Sequence, residues 1–211
     1  MINIKKEIET GIKNFDVLKV EKILNEELNK DKENIDLLLK LSVVELWTPD
    51  EDYDKSLEYI NRVYKIDNDN IDALIMECSI YNIYFGGVND RLLNKLAKIN
   101  IDNKRIMSIL KYLMSFYYYK DLDKQIELLE ESIYLCDEYV YNYKRLGMMY
   151  IEKGECIKGK ELIKKSLKNI KLVYDETTIV DFTDINEYIN EYITGVHLTY
   201  INKTAIEELL I

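Results

Sequence analysis

The side chains best suited to nucleophilic chemistry in this chain of 211 residues are one histidine and three cysteines. A histidine activates a cysteine as a general base when the two side chains lie within hydrogen-bond distance. His197 stands between apolar residues, and no spacing in the sequence brings it close to Cys136 or Cys156. We therefore expect a structural histidine and no catalytic pair.

The acidic segment 67–72, Asp-Asn-Asp-Asn-Ile-Asp, carries side-chain oxygens at a density that suits calcium. A calcium loop needs a glycine at its sixth position and a glutamate at its twelfth, where this chain has Asp72 and Cys78. We expect instead a turn in which Asn and Asp cap the next helix. The sequence also lacks a phosphate-binding loop, a dinucleotide fingerprint and zinc-ligand spacing. It therefore predicts no metal, no cofactor and no enzymatic activity.

Two stretches of the chain match each other at a fixed offset of 34 residues. The matched pairs are Ile109 and Tyr143, Leu113 and Gly147, Phe116 and Tyr150, Leu129 and Ile163, and Ser132 and Ser166. Self-similarity at this period indicates a helical repeat that buries its apolar face by stacking on its neighbours. The sequence therefore favours a binding scaffold over an enzyme.

The second copy carries an aromatic residue, a Leu-Gly pair, a second aromatic residue, a small residue and an apolar residue in a fixed order. These are Tyr143, Leu146–Gly147, Tyr150, Gly159 and Ile163. The order resembles the tetratricopeptide repeat (TPR), whose first helix reads W-x2-L-G-x2-Y. The resemblance implies two antiparallel helices per repeat, with small residues where the helices touch.

The glycines of this copy fit such a helix pair. Gly147 lies inside a helical pattern, where it costs ~1 kcal/mol relative to alanine, and a close approach of the second helix would account for that cost. Gly154 stands where the chain must turn between the two helices, in the left-handed conformation that glycine adopts easily.

The repeat weakens towards the N-terminus but persists. Asn34 and Asn70 each begin a helical pattern, at an offset of 36 residues, and their second helices are predicted at 54–66 and 90–99. We predict one all-α domain over 1–211, an α-solenoid of antiparallel helix pairs (a TPR-like superhelix) with about four to five helical hairpins. Its parts are an N-terminal helical hairpin over 1–33, repeats over 34–174 and atypical C-terminal capping helices over 175–211.

The composition limits the classes of binding partner and the cellular compartment that we expect. The net charge of −10 and the pI of about 4.8 argue against nucleic acid, which is bound by a basic surface. No apolar run reaches the ~18–20 residues that cross a membrane, and the first residues lack the apolar core of a signal peptide. Three cysteines without paired spacing suit a reduced compartment. We expect a cytoplasmic protein, and the richness in Ile, Lys, Asn and Tyr is typical of a bacterial one.

The resemblance also implies a binding site, because the first helix of each TPR lines the concave groove. Its groove-facing positions here are Met107, Leu110, Lys111, Met114, Tyr117 and Tyr118, followed by Tyr141, Lys144, Arg145, Met148 and Ile151. Met adapts to irregular partners, and Tyr offers a large contact area at low entropic cost. Because Met114 and Met148 stand at matching positions, we expect an apolar helix or extended segment, oriented by acidic groups that meet Lys144 and Arg145. Packing between adjacent repeats, or a C-terminal tail folded into the groove, remains an alternative.

These observations predict a non-enzymatic protein- or peptide-binding scaffold with a Met/Tyr-rich concave groove. The alternative is an immunity or antitoxin-type inhibitor that masks a basic toxin with its acidic surface, since a charge of −10 would steer such a partner towards it. The expected partner is a protein or peptide in both cases, without nucleic acid or membrane.

Overall fold

The fold is described by a computed structural model over residues 7, 10, 11, 16–46, 52–138 and 140–173, with the backbone alone for residues 140 and 170–173. The predicted capping helices over 175–211, and His197 within them, lie outside the described residues. The helices are α1 Val17–Leu28, α2 Ile35–Glu45, α3 Tyr53–Ile66, α4 Ile71–Tyr84, α5 Asp90–Leu96, α6 Lys104–Ser115, α7 Leu122–Leu135, α8 Val140–Glu152 and α9 Cys156–Val173. Within these ranges all regular structure is helical, which confirms the all-α prediction.

Seven of the described helices begin where an Asn or Asp caps them. The Asn34 side chain accepts a hydrogen bond from the backbone N–H of Leu37 at 3.1 Å, and Asn70 accepts one from Ala73 at 2.9 Å. The same arrangement is found at Asp16, Asp52, Asn89, Asn103 and Asp121. Each cap satisfies one of the N–H groups that a helix start leaves free, which stabilises the helix by ~1 kcal/mol. The predicted capping turn at 67–72 is thereby confirmed.

The two second helices predicted in the N-terminal half are both present. The structure places α3 within one residue of the predicted 54–66. The shorter α5 begins at the predicted residue but ends at Leu96, three residues before the predicted Ile99. The N–H groups of Lys98 and Ile99 each bond to the carbonyl three residues back, so the chain leaves the α-helical path in a tighter turn.

The described chain divides into two compact units between Ile80 and Tyr81, within α4. In the first unit, α1 packs on α2, and α2 packs on α3. Its core is aliphatic, with Leu24 of α1, Leu38 of α2 and Ile60 of α3 all fully buried. The single repeat domain over 1–211 stays a prediction.

In the second unit, α6 packs on α7, α7 on α8, and α8 on α9, while α5 contacts α6. A core cluster joins Ile126 and Leu129 of α7 to Leu146 and Tyr150 of α8. Tyr143 of the TPR-like pattern is buried as well. The pattern residues therefore point into the repeat, as the resemblance implied.

Two glycines bring α8 and α9 into close contact. A Cβ atom on Gly147 would lie 2.7 Å from Ile163 Cγ1 and 2.8 Å from the Gly159 carbonyl oxygen. A Cβ atom on Gly159 would lie 2.5 Å from the Gly147 carbonyl oxygen and 2.6 Å from Ile151 Cγ1. Side-chain carbons do not approach other atoms this closely, so the predicted close contact at Gly147 is confirmed.

Gly154 ends α8 with a positive φ of 91°. The N–H of Glu155 donates to the Tyr150 carbonyl at 2.8 Å, and the N–H of Gly154 donates to the Ile151 carbonyl at 3.0 Å. This pair of bonds is the Schellman motif, which satisfies carbonyls at the end of a helix. The predicted glycine turn between the two helices of this repeat is therefore confirmed.

A buried polar cluster ties α6 to α7 and α8. The Ser108 hydroxyl lies 2.7 Å from the Ser132 carbonyl oxygen, and the Ser132 hydroxyl lies 2.7 Å from the Ser108 carbonyl oxygen. Asn142 Nδ2 donates to Ser132 Oγ at 2.5 Å. All three side chains are buried, so their mutual hydrogen bonds replace those to water. The small serines allow α6 and α7 to cross closely while the amide fixes α8 against both.

Candidate protein-binding surface

The first helices of the two best-matched repeats, α6 and α8, lie side by side in the second unit. Asn142 Nδ2 of α8 is 3.4 Å from Ser108 Oγ of α6, at the repeat offset of 34 residues. Further along, Arg145 Nε donates to Ser115 Oγ at 3.3 Å. These two hydrogen bonds place α6 and α8 next to each other, and the predicted site residues lie on these two helices and the turn after α6.

We define the α6/α8 face by nine of the predicted site residues. They are Met107, Lys111, Met114, Tyr117 and Tyr118 of α6 and the turn that follows it, with Tyr141, Lys144, Arg145 and Met148 of α8. Met148 is 40% exposed, and the other eight are half-buried. These side chains are therefore partly packed against the rest of the protein and partly accessible to solvent.

Two other sequence-predicted positions do not belong to this face. Leu110 is only 1% exposed, because it lies one helical turn before the buried Leu113 and shares its inward direction. Ile151 turns towards α9, where its Cγ1 atom lies against Gly159. The prediction that Leu110 binds a partner is therefore corrected: it is a core residue.

The three predicted cations have different surroundings. Lys111 forms an ion pair with Glu131 of α7 at 2.5 Å, so its charge is already balanced within the fold. Lys144 lies over the ring of Tyr141, with its Nζ atom 5.5 Å from the ring centroid. Burial lowers the pKa of the Lys144 ammonium, since water no longer solvates the charge fully.

Arg145 is held by neutral groups alone among the described residues. Its guanidinium lies 3.6 Å from the centroid of the Phe116 ring, and Nη2 donates to Gln125 Oε1 at 2.9 Å. Burial lowers the pKa of this guanidinium, although the nearby Tyr112 acts in the opposite direction. Across the part of the chain that the structure describes, no carboxylate lies within ion-pair distance of Arg145 or Lys144.

Tyr112 is a neighbour of the candidate site that sequence reasoning missed. Its ring meets Phe116 edge to face, with the ring centroids 5.1 Å apart. Burial raises the pKa of its phenol to about 12, while Arg145 nearby lowers it and Tyr141 raises it. Tyr112 therefore lies close to Arg145 and is half-buried, like most of the α6/α8 face. The sequence did contain a signal for Tyr112: it precedes Phe116 by four residues, and residues four apart lie on the same side of a helix.

Three successive tyrosines follow α6, and they differ in environment. The Tyr117 hydroxyl donates to Asp90 Oδ1 of α5 at 2.5 Å, and this hydrogen bond raises the pKa of Tyr117. The rings of Tyr117 and Tyr118 meet edge to face at 5.1 Å. Tyr119 points away and is exposed. Consecutive helical residues point in different directions, so only part of this run can contribute to one face.

A metal-binding cluster and a membrane-spanning helix are both absent from the described ranges. There, no group of three His, Cys, Asp or Glu side chains could hold a metal ion. None of the described helices is both long and apolar enough to cross a membrane. Cys136 is half-buried and Cys156 is exposed, while their suggested partner His197 lies outside the described residues.

No protein-family model and no curated protein matches the chain. Solved structures do resemble it over most of its length. The type IV pilus biogenesis factor PilW matches with a TM-score of 0.63 at 13% identity, over 99% of this chain and 98% of PilW. MamA from Desulfovibrio magneticus RS-1 (residues 41 to the end) matches with a TM-score of 0.60 at 16% identity, over 82% of this chain and 96% of that protein.

A further MamA crystal structure matches with a TM-score of 0.55 at 18% identity, over 78% of this chain and 94% of that chain. MamA and PilW are TPR-containing proteins. The fold is therefore a TPR-like α-solenoid, as the repeat pattern around Gly147 implied.

Proposed function

We propose that this protein is a non-enzymatic scaffold that binds a protein or peptide on the α6/α8 face. The observation that carries the proposal is the 40% exposure of Met148, together with the partial exposure of Tyr118 and Met114. Packing between adjacent repeats alone would have buried Met148 as fully as its core neighbour Leu146. A partner that covers this face removes apolar area from water, and each fully buried large side chain contributes about 1.5–3 kcal/mol.

The residue types of the face suit a protein partner. Methionine adjusts its flexible side chain to an irregular surface, and tyrosine provides contact area with few rotatable bonds to order. The face offers no nucleophile with an adjacent base among the described residues. We propose a cytoplasmic protein whose partner is neither nucleic acid nor membrane, as the charge of −10 favours.

The second candidate is the inhibitor that masks a basic toxin, and the observation that favours it is the same net charge of −10. Long-range attraction of this kind accelerates association and weakens steeply as salt rises. The two candidates differ in where the partner binds, because charge masking needs the acidic surface and not the Met/Tyr face.

Affinity capture from lysate of the native cell tests the proposal. The wild-type chain is compared with the double variant Tyr118→Glu, Met148→Glu. The matched control is Tyr134→Glu, Ile157→Glu, which adds the same charge at side chains that are 89% and 81% exposed on α7 and α9. Circular dichroism and thermal melting first establish that all three proteins fold.

The proposal predicts one captured protein that the wild type and the control retain and the α6/α8 variant loses. Equal capture by all three proteins would overturn it. If the captured protein is basic, and its binding weakens sharply with salt while ignoring the α6/α8 variant, the toxin-masking candidate is supported instead.

A further inference from the structure

We propose that the α6/α8 face selects a partner segment that places one aspartate or glutamate side chain against Arg145, between apolar side chains. This inference rests on the proposed function, because it assigns partner chemistry to the same face. It also distinguishes the three cations. Arg145 binds the partner carboxylate directly, Lys144 adds positive charge nearby, and Lys111 does not contribute because it is paired with Glu131.

Arg145 has free donors in a fixed orientation. A guanidinium carries five N–H donors, of which Nε binds Ser115 and Nη2 binds Gln125. About three N–H groups therefore remain for a ligand. The contact with the Phe116 ring fixes the plane of the guanidinium at 3.6 Å, so little side-chain entropy is left to lose when a carboxylate binds.

The charge of Arg145 is half-buried without an acid beside it among the described residues. Lys111, one helix away, shows the contrast, since Glu131 balances its charge at 2.5 Å. Burial lowers the pKa of both Arg145 and Lys144, which means that the fold bears a desolvation cost for each charge. A partner carboxylate that enters here recovers part of that cost, and charge-assisted hydrogen bonds form at the same time.

The other side chains of the α6/α8 face define what flanks the acid. Met148 and Met114 stand at equivalent positions of α8 and α6, and Tyr141 adds an aromatic ring. The partner segment therefore carries one acidic side chain among apolar ones. The whole protein bears a net charge of −10, so its long-range field repels acidic peptides. A preference for acidic peptides would therefore have to come from a local interaction, such as the one proposed with Arg145, and not from the net charge.

Selection from random linear peptides displayed on phage tests the inference with the full-length protein. Peptides are selected separately on the wild type, on Arg145→Gln and on Lys98→Gln. The last variant removes the same charge from an exposed lysine between α5 and α6. Selected peptides are then synthesised with their acid as carboxylate or as the matching amide, and their affinities for each protein are measured.

We expect the wild-type and Lys98→Gln selections to enrich one Asp or Glu flanked by apolar residues, although the negative net charge of the protein repels acidic peptides. For the wild type and Lys98→Gln, the amide version of a selected peptide should bind about tenfold or more weakly than the carboxylate version. For Arg145→Gln, the two versions should bind with equal affinity. Enriched apolar peptides without an acid would overturn this inference and leave the proposed function intact. Failure to enrich any peptide would also overturn this inference, because it requires a linear partner segment. The proposed function itself fails if Met148→Glu binds the selected peptides as well as the wild type does. The wild-type result decides the acid preference whatever the stability of Arg145→Gln. If a folded Arg145→Gln still prefers the carboxylate peptide to its amide as strongly as the wild type does, the assignment of the acid to Arg145 is overturned.

Discussion

Gly147 and Gly159 face each other across α8 and α9, each so close to the other's carbonyl oxygen that neither position has room for a methyl group. The two positions lie 12 residues apart in the sequence and belong to the two helices of one repeat. Their contact fixes the distance between these helices and therefore the position of α8, which carries Arg145 and Met148. The geometry of the proposed binding face therefore depends on this contact.

The first prediction concerns that contact. An alanine in an exposed helix position stabilises a helix by ~1 kcal/mol relative to glycine. At Gly147 we expect the opposite sign: Gly147→Ala lowers the free energy of unfolding by about 1–3 kcal/mol, because the added methyl forces the backbones apart. Urea denaturation followed by circular dichroism measures the change. The larger Gly147→Phe should prevent α8 and α9 from packing, and a variant with the wild-type melting temperature would show that the helices do not touch there.

The second prediction concerns a charged cluster in the first unit. Lys55 of α3 lies 2.7 Å from Glu21 of α1 and 2.8 Å from Glu45 of α2. Glu45 is 2% exposed, and burial raises the pKa of its carboxyl despite the opposing hydrogen bond from Lys55. We expect Lys55→Met to destabilise the protein by about 2 kcal/mol at pH 7. The loss is smaller than for a fully buried pair because the Lys55 head group is partly exposed.

The pH dependence of this effect follows from the raised pKa of Glu45. A carboxyl whose pKa is higher in the folded state than in the unfolded state favours folding when it is protonated, and loses that contribution as pH rises through the folded-state pKa. The cost of Lys55→Met should therefore be largest at pH 7 and shrink as pH falls to about 4, the ordinary pKa of a glutamate. Lys30→Met, which removes a mostly exposed partner of Glu27, should change stability little at either pH. Equal losses for Lys55→Met at both values would contradict this account.

The third prediction concerns the buried serines. Ser108→Ala and Ser132→Ala each remove a hydroxyl that bonds to the facing carbonyl, and each should cost about 1 kcal/mol. Because the two hydroxyls also contact each other and share Asn142, their effects should not add. A double-mutant cycle should give a coupling energy of about 0.5 kcal/mol or more. Additive losses would show that the two hydroxyls act independently.

Much of the fold could be predicted from the sequence, because the repeat period and the glycines report backbone constraints directly. Gly147 had to be at a helix contact, since an interior glycine is otherwise costly, and Gly154 had to be at a turn. Leu110 was misplaced because the resemblance assigns its position to the groove, whereas in this chain the side chain follows Leu113 into the core. On a helix where groove-facing and core-facing positions are neighbours, the sequence pattern alone does not decide which apolar residue is exposed.

The electrostatics of the face could not be predicted in the same way. Lys111 is paired with Glu131 across two helices, and the sequence separation of 20 residues gives no sign of it. The contacts of Arg145 with Phe116 and Gln125 likewise depend on how α6, α7 and α8 pack. Long side chains reach partners that tertiary structure supplies, so the three cations look equivalent in the sequence and differ in the fold.

Hydrogen–deuterium exchange on the full-length protein, with and without the captured partner, tests the central claim most directly. The account predicts that the partner slows backbone exchange in α6 and α8, around Met114 and Met148, more than in α3. It also predicts that the Tyr118→Glu, Met148→Glu variant shows no such change at the same partner concentration. Protection confined to segments outside α6 and α8, or protection that persists in the variant, would contradict the assignment of the binding face.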